Sequence, residues 1–402
     1  MKRHLIGIGG VGMSALATVL AKQGDEVTGA DRNLDTPSVR FLRSSGIEVF
    51  PDDGSGVDGS VDEIIVSTAI ERDNPGLERA AALRIPVVHR AVALAKALEG
   101  RKLVAVAGTC GKSTVAAMLG HILFKCGFDP LCVNGANVPG WDGAVRFGSG
   151  EYAVAEVDES DRSLVAFSPY AAIVTNASAD HYSKEEMDAV FDAFAAKCKG
   201  PVVDGRTWHG DPEGLPVPMP GRHNRMNAAI AVEMAVRLGA ERKKAVEALD
   251  AFGGVERRLQ RYGSRVYDDY AHNPEKLRAM WSALVDDHPG GVCVIWRPHG
   301  YAPLKKNLAS FADAFADSVR PADALLLLPV YDAGGTAERT VKSEDLAKKL
   351  EERAVAAICV AGHDEALSWV ERNKNRYGRF AVCGARDPYL PGLARRISEI
   401  LV

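Results

Sequence analysis

Short runs of Val, Ile, Leu and Ala alternate, almost from end to end, with stretches whose apolar positions recur at helical spacing. Continuous apolar runs of strand length mark strands buried on both faces, and their alternation with helices predicts mainly parallel sheets in stacked α/β units. The pattern falls into three blocks, 1–98, 99–253 and 254–402. The first opens on strand LIGIG, with a helix from about Met13, and continues with strands EVTGA, DEIIVST and PVVH; it ends near Leu98, before the polar EGRK. The second begins with strand LVAVAG at Leu103, runs through YAVAEVD and AAIVTN, and closes on two helices over 224–238 and 241–249. Phe252-Gly253-Gly254 interrupts the pattern. In the third block RVYDDY, GVCVIW, ADALLLL, AAICVAG and FAVCGA read as strands, each followed by a helical pattern. Residues 200–220, rich in Gly, Pro and Asp, carry no periodicity and read as a surface loop.

Bulk properties narrow the function. At 402 residues and 47% hydrophobic content, the chain can fill two or three cores. A net charge of −4 from mixed signs lacks the basic stripe of a nucleic-acid binder. No apolar run reaches membrane-spanning length, and MKRHLIGIGG reads as a strand entering a glycine loop rather than as a signal peptide. The seven cysteines are scattered without a CxxC pair, as expected of reduced thiols in a cytoplasmic protein.

Candidate chemistry starts at Gly108-Thr109-Cys110-Gly111-Lys112-Ser113-Thr114, which follows a buried-type strand and opens a helix. Backbone N–H groups at such a junction cradle phosphate, a lysine reaches the terminal phosphates and a hydroxyl ligates Mg²⁺. Val106 stands where a full Walker A motif has its first glycine. Two acidic clusters follow strands of the same block: Glu156-Val157-Asp158-Glu159-Ser160-Asp161, and Asp180-His181 beyond Asn176. Alone, the first is the composition of a solvated turn and the second of a helix cap. In a parallel sheet, however, strand carboxyl ends share one edge, which brings both beside the phosphate loop, and hard oxygen ligands suit Mg²⁺.

A second nucleotide signal lies at the N-terminus. Gly7-Ile8-Gly9-Gly10-Val11-Gly12 fits GxGxxG after a strand, with Asp31 nineteen residues beyond Gly12. That is a close-approach loop for a pyrophosphate with an acid placed for a ribose. NAD(H) and a UDP-sugar both satisfy it; an NAD(P)-dependent oxidoreductase leaves GTCGKST and DESD unexplained.

GIGGVGMSALA, STAIERDNP, IPVVHRAVALA, GTCGKST, AEVDESD, IVTNASADH, PGRHNRMNAAIA, GVERRLQ and DDYAHNP, in this order, make the chain resemble the Mur ligase family along nearly its whole length, and within it the branch that adds L-alanine to UDP-N-acetylmuramate. The resemblance implies three domains: a Rossmann-like N-terminal domain for the UDP substrate, a P-loop ATPase-type central domain, and a Rossmann-like C-terminal domain that brings the amino acid. It implies an ATP- and Mg²⁺-dependent ligase of peptidoglycan precursor synthesis, working through an acyl-phosphate, as a monomer or weak homodimer. Residue by residue, Lys112 and Thr109 resemble phosphate-loop residues and Ser113 a Mg²⁺ ligand, while Glu156 and His181, twenty-five residues apart, resemble a second metal site. Asn224 and Asn227 resemble adenine-side residues, Asp269 a ribose contact with His272 nearby, and Arg258 the arginine offered to the γ-phosphate. Gly9, Gly10 and Val11, with Asp31 and Ser67, match the UDP-binding segments.

Several positions depart from that branch. Cys110 and Ser113 replace the usual His and Thr, the stretch 200–220 is short, and Gly300 stands where the alanine-adding branch has Arg after Pro-His. GRHNRMN and VYDDYAHNP are closer to the branch that recycles muropeptides by attaching a tripeptide. Arg297, His299 and Lys305 are therefore the expected acceptor-binding residues, for L-alanine or for something bulkier. A ligase acting on a non-peptidoglycan acid and a catalytically dead nucleotide-binding regulator remain alternatives, although Lys112, Glu156, His181 and Arg258 argue for activity.

Overall fold

The computed structural model describes residues 1–158, 163–177, 184–286, 288–332, 338–385 and 387–401. The predicted strands are present with displaced ends, and β3 joins them: β1 (Lys2–Ile6), β2 (Glu26–Asp31), β3 (Glu48–Pro51), β4 (Glu63–Val66) and β5 (Val87–His89) form one sheet in the order β3-β2-β1-β4-β5, all parallel. A second sheet, in the order β11-β10-β6-β9-β7-β8, holds β6 (Lys102–Ala107), β7 (Leu131–Val133), β8 (Val145–Arg146), β9 (Tyr152–Glu156), β10 (Ala171–Val174) and β11 (Val202–Asp204). The third, in the order β12-β13-β17-β14-β15-β16, holds β12 (Gln260–Tyr262), β13 (Val266–Asp269), β14 (Val292–Trp296), β15 (Ala324–Leu327), β16 (Ala357–Cys359) and β17 (Arg379–Cys383). Only the edge pairs β7–β8 and β12–β13 are antiparallel among the described residues.

The differences from the sequence reading lie at edges and ends. The first strand stops at Ile6 and its helix starts at Val11, two residues before the expected Met13, because Gly7–Gly10 form a turn. Strands β3, β7, β8, β11 and β12, of two to four residues, are too short to carry a period. One of them corrects the reading of 200–220 as all loop: Val202–Asp204 pair in parallel with Ala172–Val174 at the sheet's edge.

By compactness the chain divides into two units, Met1–Pro218 with Met226–Val255, and Met219–Arg225 with Glu256–Val402. The first unit contains the first two sheets, and one apolar core runs through both, from Leu5, Leu16 and Leu94 to Leu103, Val133 and Phe191. In the second unit the strand alternation sorts side chains onto two faces. Val294, Trp296, Leu325, Leu327 and Ala381 pack under helices Pro274–Val285 and Leu308–Ser318 through Trp281, Phe311 and Phe315. Cys293, Ile295, Leu326, Phe380 and Val382 pack under helices His363–Asn373 and Leu390–Ile400 through Val370, Leu393 and Ile397. Apolar residues on both faces of a strand are what produced the continuous runs in the sequence. All seven cysteines are free. No described helix is long and apolar enough to cross a membrane.

Candidate active site

The phosphate loop joins β6 to helix Lys112–Lys125 and lies between its neighbours in the sheet, β10 and β9. Parallel register aligns Ala107 with Val174 and Val106 with Glu156, so the ends of all three strands share one edge. Gly108 (φ 128°) and Gly111 (φ 83°) occupy conformations that favour glycine. A Cβ on Gly108 would lie 2.1 Å from Thr175 Oγ1, and one on Gly111 would lie 2.8 Å from Asn227 Oδ1. The backbone is thus brought against two polar side chains, and the residue at the helix N-cap, Gly111, brings no side chain to cap it.

The residues that shape the loop are largely ones the sequence reading did not single out. Asn176 Oδ1 accepts from the Thr109 hydroxyl at 2.6 Å and from the Cys110 N–H at 2.9 Å, while its Nδ2 donates to the Cys110 carbonyl at 2.9 Å. Thr175 donates to that same carbonyl at 2.6 Å. Lys112 folds back, its Nζ donating to the Gly108 carbonyl at 2.7 Å. Ser113 and Thr114 are buried in the first helical turn. Asn227 meets the loop at Gly111, whereas Asn224 is buried and donates to the Pro220 carbonyl at 2.7 Å.

In the first sheet the glycine loop follows β1 and is flanked by the ends of β2 and β4. Asp31, at the end of β2, accepts from Gly9 N–H at 2.8 Å and from Asn33 N–H at 2.9 Å. Its carboxylate therefore braces the loop, a task additional to the ribose contact expected of it. The first two sheets share a cleft of about 480 Å³, lined by Gly10, Val11, Asp31 and Ser67 on one side and by Glu156 and Asp158 on the other. Arg90 lines it too, its guanidinium packed where a Cβ on Gly12 would stand. It was legible only as part of IPVVHRAVALA. Glu156 accepts from Gly135 N–H at 2.8 Å, and a side chain at Gly135 would collide with its carboxylate. Gly9 has similarly little room, with Asp31 Oδ2 2.8 Å from its Cβ position. His181 lies outside the described residues, as do Glu159 to Asp161 and Asp180. Among the described residues no group of three His, Cys, Asp or Glu converges as a metal site. Of the expected Mg²⁺ ligands, Ser113 and Glu156 are among the described residues, and Asp158 adds a further hard oxygen donor beside Glu156.

The second unit carries the remaining candidates. Asp269 accepts from Leu259 N–H and Ala271 N–H, both at 2.8 Å, so it supports the loop before β12 whatever else it contacts. Arg258 lies 5.3 Å from the Tyr270 ring centre. His272 shares its Nδ1 with the Tyr270 carbonyl at 2.9 Å and packs edge-on against His299 at 5.1 Å. Burial lowers its pKa to about 4, leaving it neutral near pH 7. Of the expected acceptor cations, Arg297 is held by the fully buried Asp387, with His363 3.5 Å from the same carboxylate. Lys305 pairs at 3.0 Å with Glu338, both exposed. Gly300 is extended, and among the described residues a Cβ there would meet Pro303, at 3.5 Å.

Two segments match known family models: residues 2–102 match the Mur ligase family, catalytic domain, and residues 257–386 the Mur ligase, glutamate ligase domain. A UDP-N-acetylmuramate–L-alanine ligase of Rhizobium meliloti is 33% identical, covering 99% of this chain and 97% of that protein. The alignment spans 471 positions against 402 residues here, so that relative carries segments without a counterpart in this chain. A ligase of the same name from Paenarthrobacter aurescens is 36% identical over 82% of this chain and 83% of its own length. Among solved structures, the UDP-N-acetylmuramate–alanine ligase of Thermotoga maritima matches with a TM-score of 0.80 and 25% identity over 99% of this chain and 98% of that one. A murein peptide ligase from Psychrobacter arcticus shares the fold, with a TM-score of 0.66 and 20% identity over 100% and 98%. With glycine loop, phosphate loop and third sheet following one another in a likeness that spans the whole sequence, the chain belongs to the Mur ligase family.

Proposed function

We propose that the chain joins L-alanine to the carboxylate of UDP-N-acetylmuramate, consuming ATP and passing through an acyl-phosphate. Family membership makes it an ATP-dependent, ADP-forming ligase of an acid with an amine. The substrates are our assignment. The observation that carries it is the shared cleft, in which a glycine loop suited to a pyrophosphate faces Glu156 and Asp158, on the sheet edge that also holds the phosphate loop. Its volume, about 480 Å³, lies within the usual range for small-molecule sites.

We assign residues 1–98 to the UDP substrate, 99–253 to ATP and 254–402 to the amino acid. Gly9, Gly10 and Val11 take the pyrophosphate, joined by Arg90, whose charge suits that anion; Asp31 and Ser67 line the nucleotide side. Gly108–Thr114 hold the ATP phosphates, with Asn224, Asn227, Asp269 and His272 serving the nucleoside. Ser113, Glu156 and His181 would hold Mg²⁺; two of these are hard oxygen donors, which fit that ion. When bound, Mg²⁺ offsets the negative charge shared by the acid and the terminal phosphate. Lys112 transfers its ammonium from the Gly108 carbonyl to that phosphate, and Arg258 supplies a second cation. Both favour the charge that builds as the substrate carboxylate displaces ADP. The amine then attacks the acyl-phosphate carbonyl and expels inorganic phosphate, losing a proton to leave the amide, and exclusion of water protects the acyl-phosphate from hydrolysis.

For the acceptor, Lys305 is the cation we retain for the carboxylate, since an exposed ion pair is weak and readily exchanged. Arg297 is bound to a buried acid and acts by holding the loop that carries His299. A second reading, an acceptor larger than alanine, is favoured by the lack of a side chain at Gly300, whose Cβ position makes an ordinary contact with Pro303 at 3.5 Å. The setting is cytoplasmic, as a monomer or weak homodimer.

The test is ADP release with ATP, UDP-N-acetylmuramate and L-alanine, compared with UDP and NADH in binding calorimetry. We expect acid- and amine-dependent ADP formation that Lys112→Ala lowers by about a hundredfold or more without unfolding the protein. Tight NADH binding with no UDP binding would overturn the assignment.

A further inference from the structure

The turn that carries Arg258 is unusual. Arg257 (φ 57°) and Leu259 (φ 47°), on either side of it, are both left-handed and neither is glycine. A Cβ disfavours that conformation, so such a turn persists only where its surroundings hold it. Three hydrogen bonds fix the backbone: Leu259 N–H to Asp269 Oδ2 at 2.8 Å, Tyr270 N–H to the Arg257 carbonyl at 2.9 Å, and Arg257 N–H to Gln260 Oε1 at 3.1 Å. The Arg257 side chain then ties the turn to two strands of the sheet. It donates to the Gly384 carbonyl beyond β17, and its Nε lies 3.4 Å and 3.5 Å from the two carboxylate oxygens of Asp268 on β13. The Tyr270 ring lies 5.1 Å from one guanidinium and 5.3 Å from the next.

Asp268 is an expensive residue in this place. It is fully buried, and among the described residues its Oδ2 receives no hydrogen bond. A neutral residue on β13 would fill the space without a desolvation penalty. What the carboxylate supplies is an anchor for the guanidinium beside Arg258, with two adjacent like charges close to one ring.

We propose that Asp268, through its ion pair with Arg257, is a positioning residue that fixes the direction in which Arg258 is presented, and so acts on turnover without touching substrate. The inference rests on the proposed role of Arg258. Groups that stabilise a transition state act only within a narrow range of placement, so a slack turn lowers kcat while leaving substrate binding nearly unchanged.

The test compares Asp268→Asn in two backgrounds, the wild type and Arg258→Ala, by ADP release from the full chain. In the wild type, kcat falls about tenfold or more, each KM stays within about twofold, and the melting temperature is not lowered. In Arg258→Ala the same substitution changes the residual kcat by less than about twofold, because no guanidinium remains to be placed. Unchanged kcat in folded Asp268→Asn, or an equal loss in both backgrounds, overturns the proposal. Should Asp268→Asn fail to fold, Arg257→Lys takes its place, since lysine keeps the charge but lacks the fork that reaches both acceptors; the same two outcomes decide. Wild-type turnover by Arg258→Ala removes the role of Arg258 and the positioning proposal with it. An impaired Arg258→Ala beside a fully active Asp268→Asn removes the positioning proposal alone.

Discussion

Asn176→Ala probes how the phosphate loop is held. The amide makes three hydrogen bonds to the loop, at 2.6, 2.9 and 2.9 Å, two of them to backbone groups of Cys110. At about 1 kcal/mol net for each, their loss is worth up to about 3 kcal/mol. Thr175 keeps its own bond to the Cys110 carbonyl at 2.6 Å, which retains part of the geometry. If the slack loop must be ordered by ATP, the cost appears in binding; at about 1.4 kcal/mol per tenfold, KM for ATP rises between about tenfold and a hundredfold. If the loop collapses into another fixed shape, part of the cost appears instead as a lower melting temperature. Asn176→Asp separates an anion cradle from a merely structural turn. It preserves the acceptor for the Thr109 hydroxyl and the Cys110 N–H, turns the donor to the Cys110 carbonyl into an acceptor, and places a negative charge beside the phosphates. A cradle predicts a KM for ATP at least as poor as that of the alanine variant. Steady-state ADP release over a range of ATP and a thermal melt without nucleotide measure both quantities. Unchanged KM and melting temperature in Asn176→Ala, or an aspartate variant that binds ATP normally, would refute the reasoning.

Glu156→Gln keeps the shape of the side chain and removes the charge, so it raises the Mg²⁺ concentration needed for half-maximal ADP release; an unchanged requirement would return the acidic segment to a solvated turn. Arg90→Ala weakens UDP binding in calorimetry by about tenfold, as for a charge-assisted bond of about 1.5 kcal/mol, and leaves KM for ATP in place. With Gly300 uncharged, L-serine, glycine and a tripeptide are discriminated from L-alanine by less than about a hundredfold; a larger preference would show Gly300 to be neutral for selectivity. Asp268 is pushed up to about 7 by burial, against the pull of Arg257 and with Asp269 and Glu256 adding to the rise. Between about 3.8 and 7 the folded state holds a proton that the unfolded chain has released, while above about 7 the carboxylate is charged and pairs with Arg257, so this group favours folding most at low pH. That contribution is lost as pH rises through about 7. Thermal melts between pH 5 and 8, roughly, therefore show a decline that Asp268→Asn reduces, and an equal decline in both proteins would count against it.

Much of this molecule was legible in one dimension. The parallel α/β architecture followed from apolar runs with little alternation, because strands covered by helices on both faces leave no polar side to reveal. The core strands β6, β10, β14 and β17 were found for that reason, while β7, β8, β11 and β12 were missed because two or three residues at a sheet edge have no measurable period. Gly108, Gly111 and Lys112 could be read as a phosphate loop because its chemistry is packed into seven consecutive residues. Tertiary structure decided which groups from distant positions meet. Asn176 reaches the phosphate loop, and Asp31 braces Gly9, because parallel register brings strand ends together. Arg297, chosen from sequence as an acceptor cation, is paired with Asp387, ninety residues away, and no local pattern reports that a charge already has a buried partner. Sequence spacing fixes backbone type, since that depends on near neighbours; the fate of a charged side chain depends on whatever folds against it.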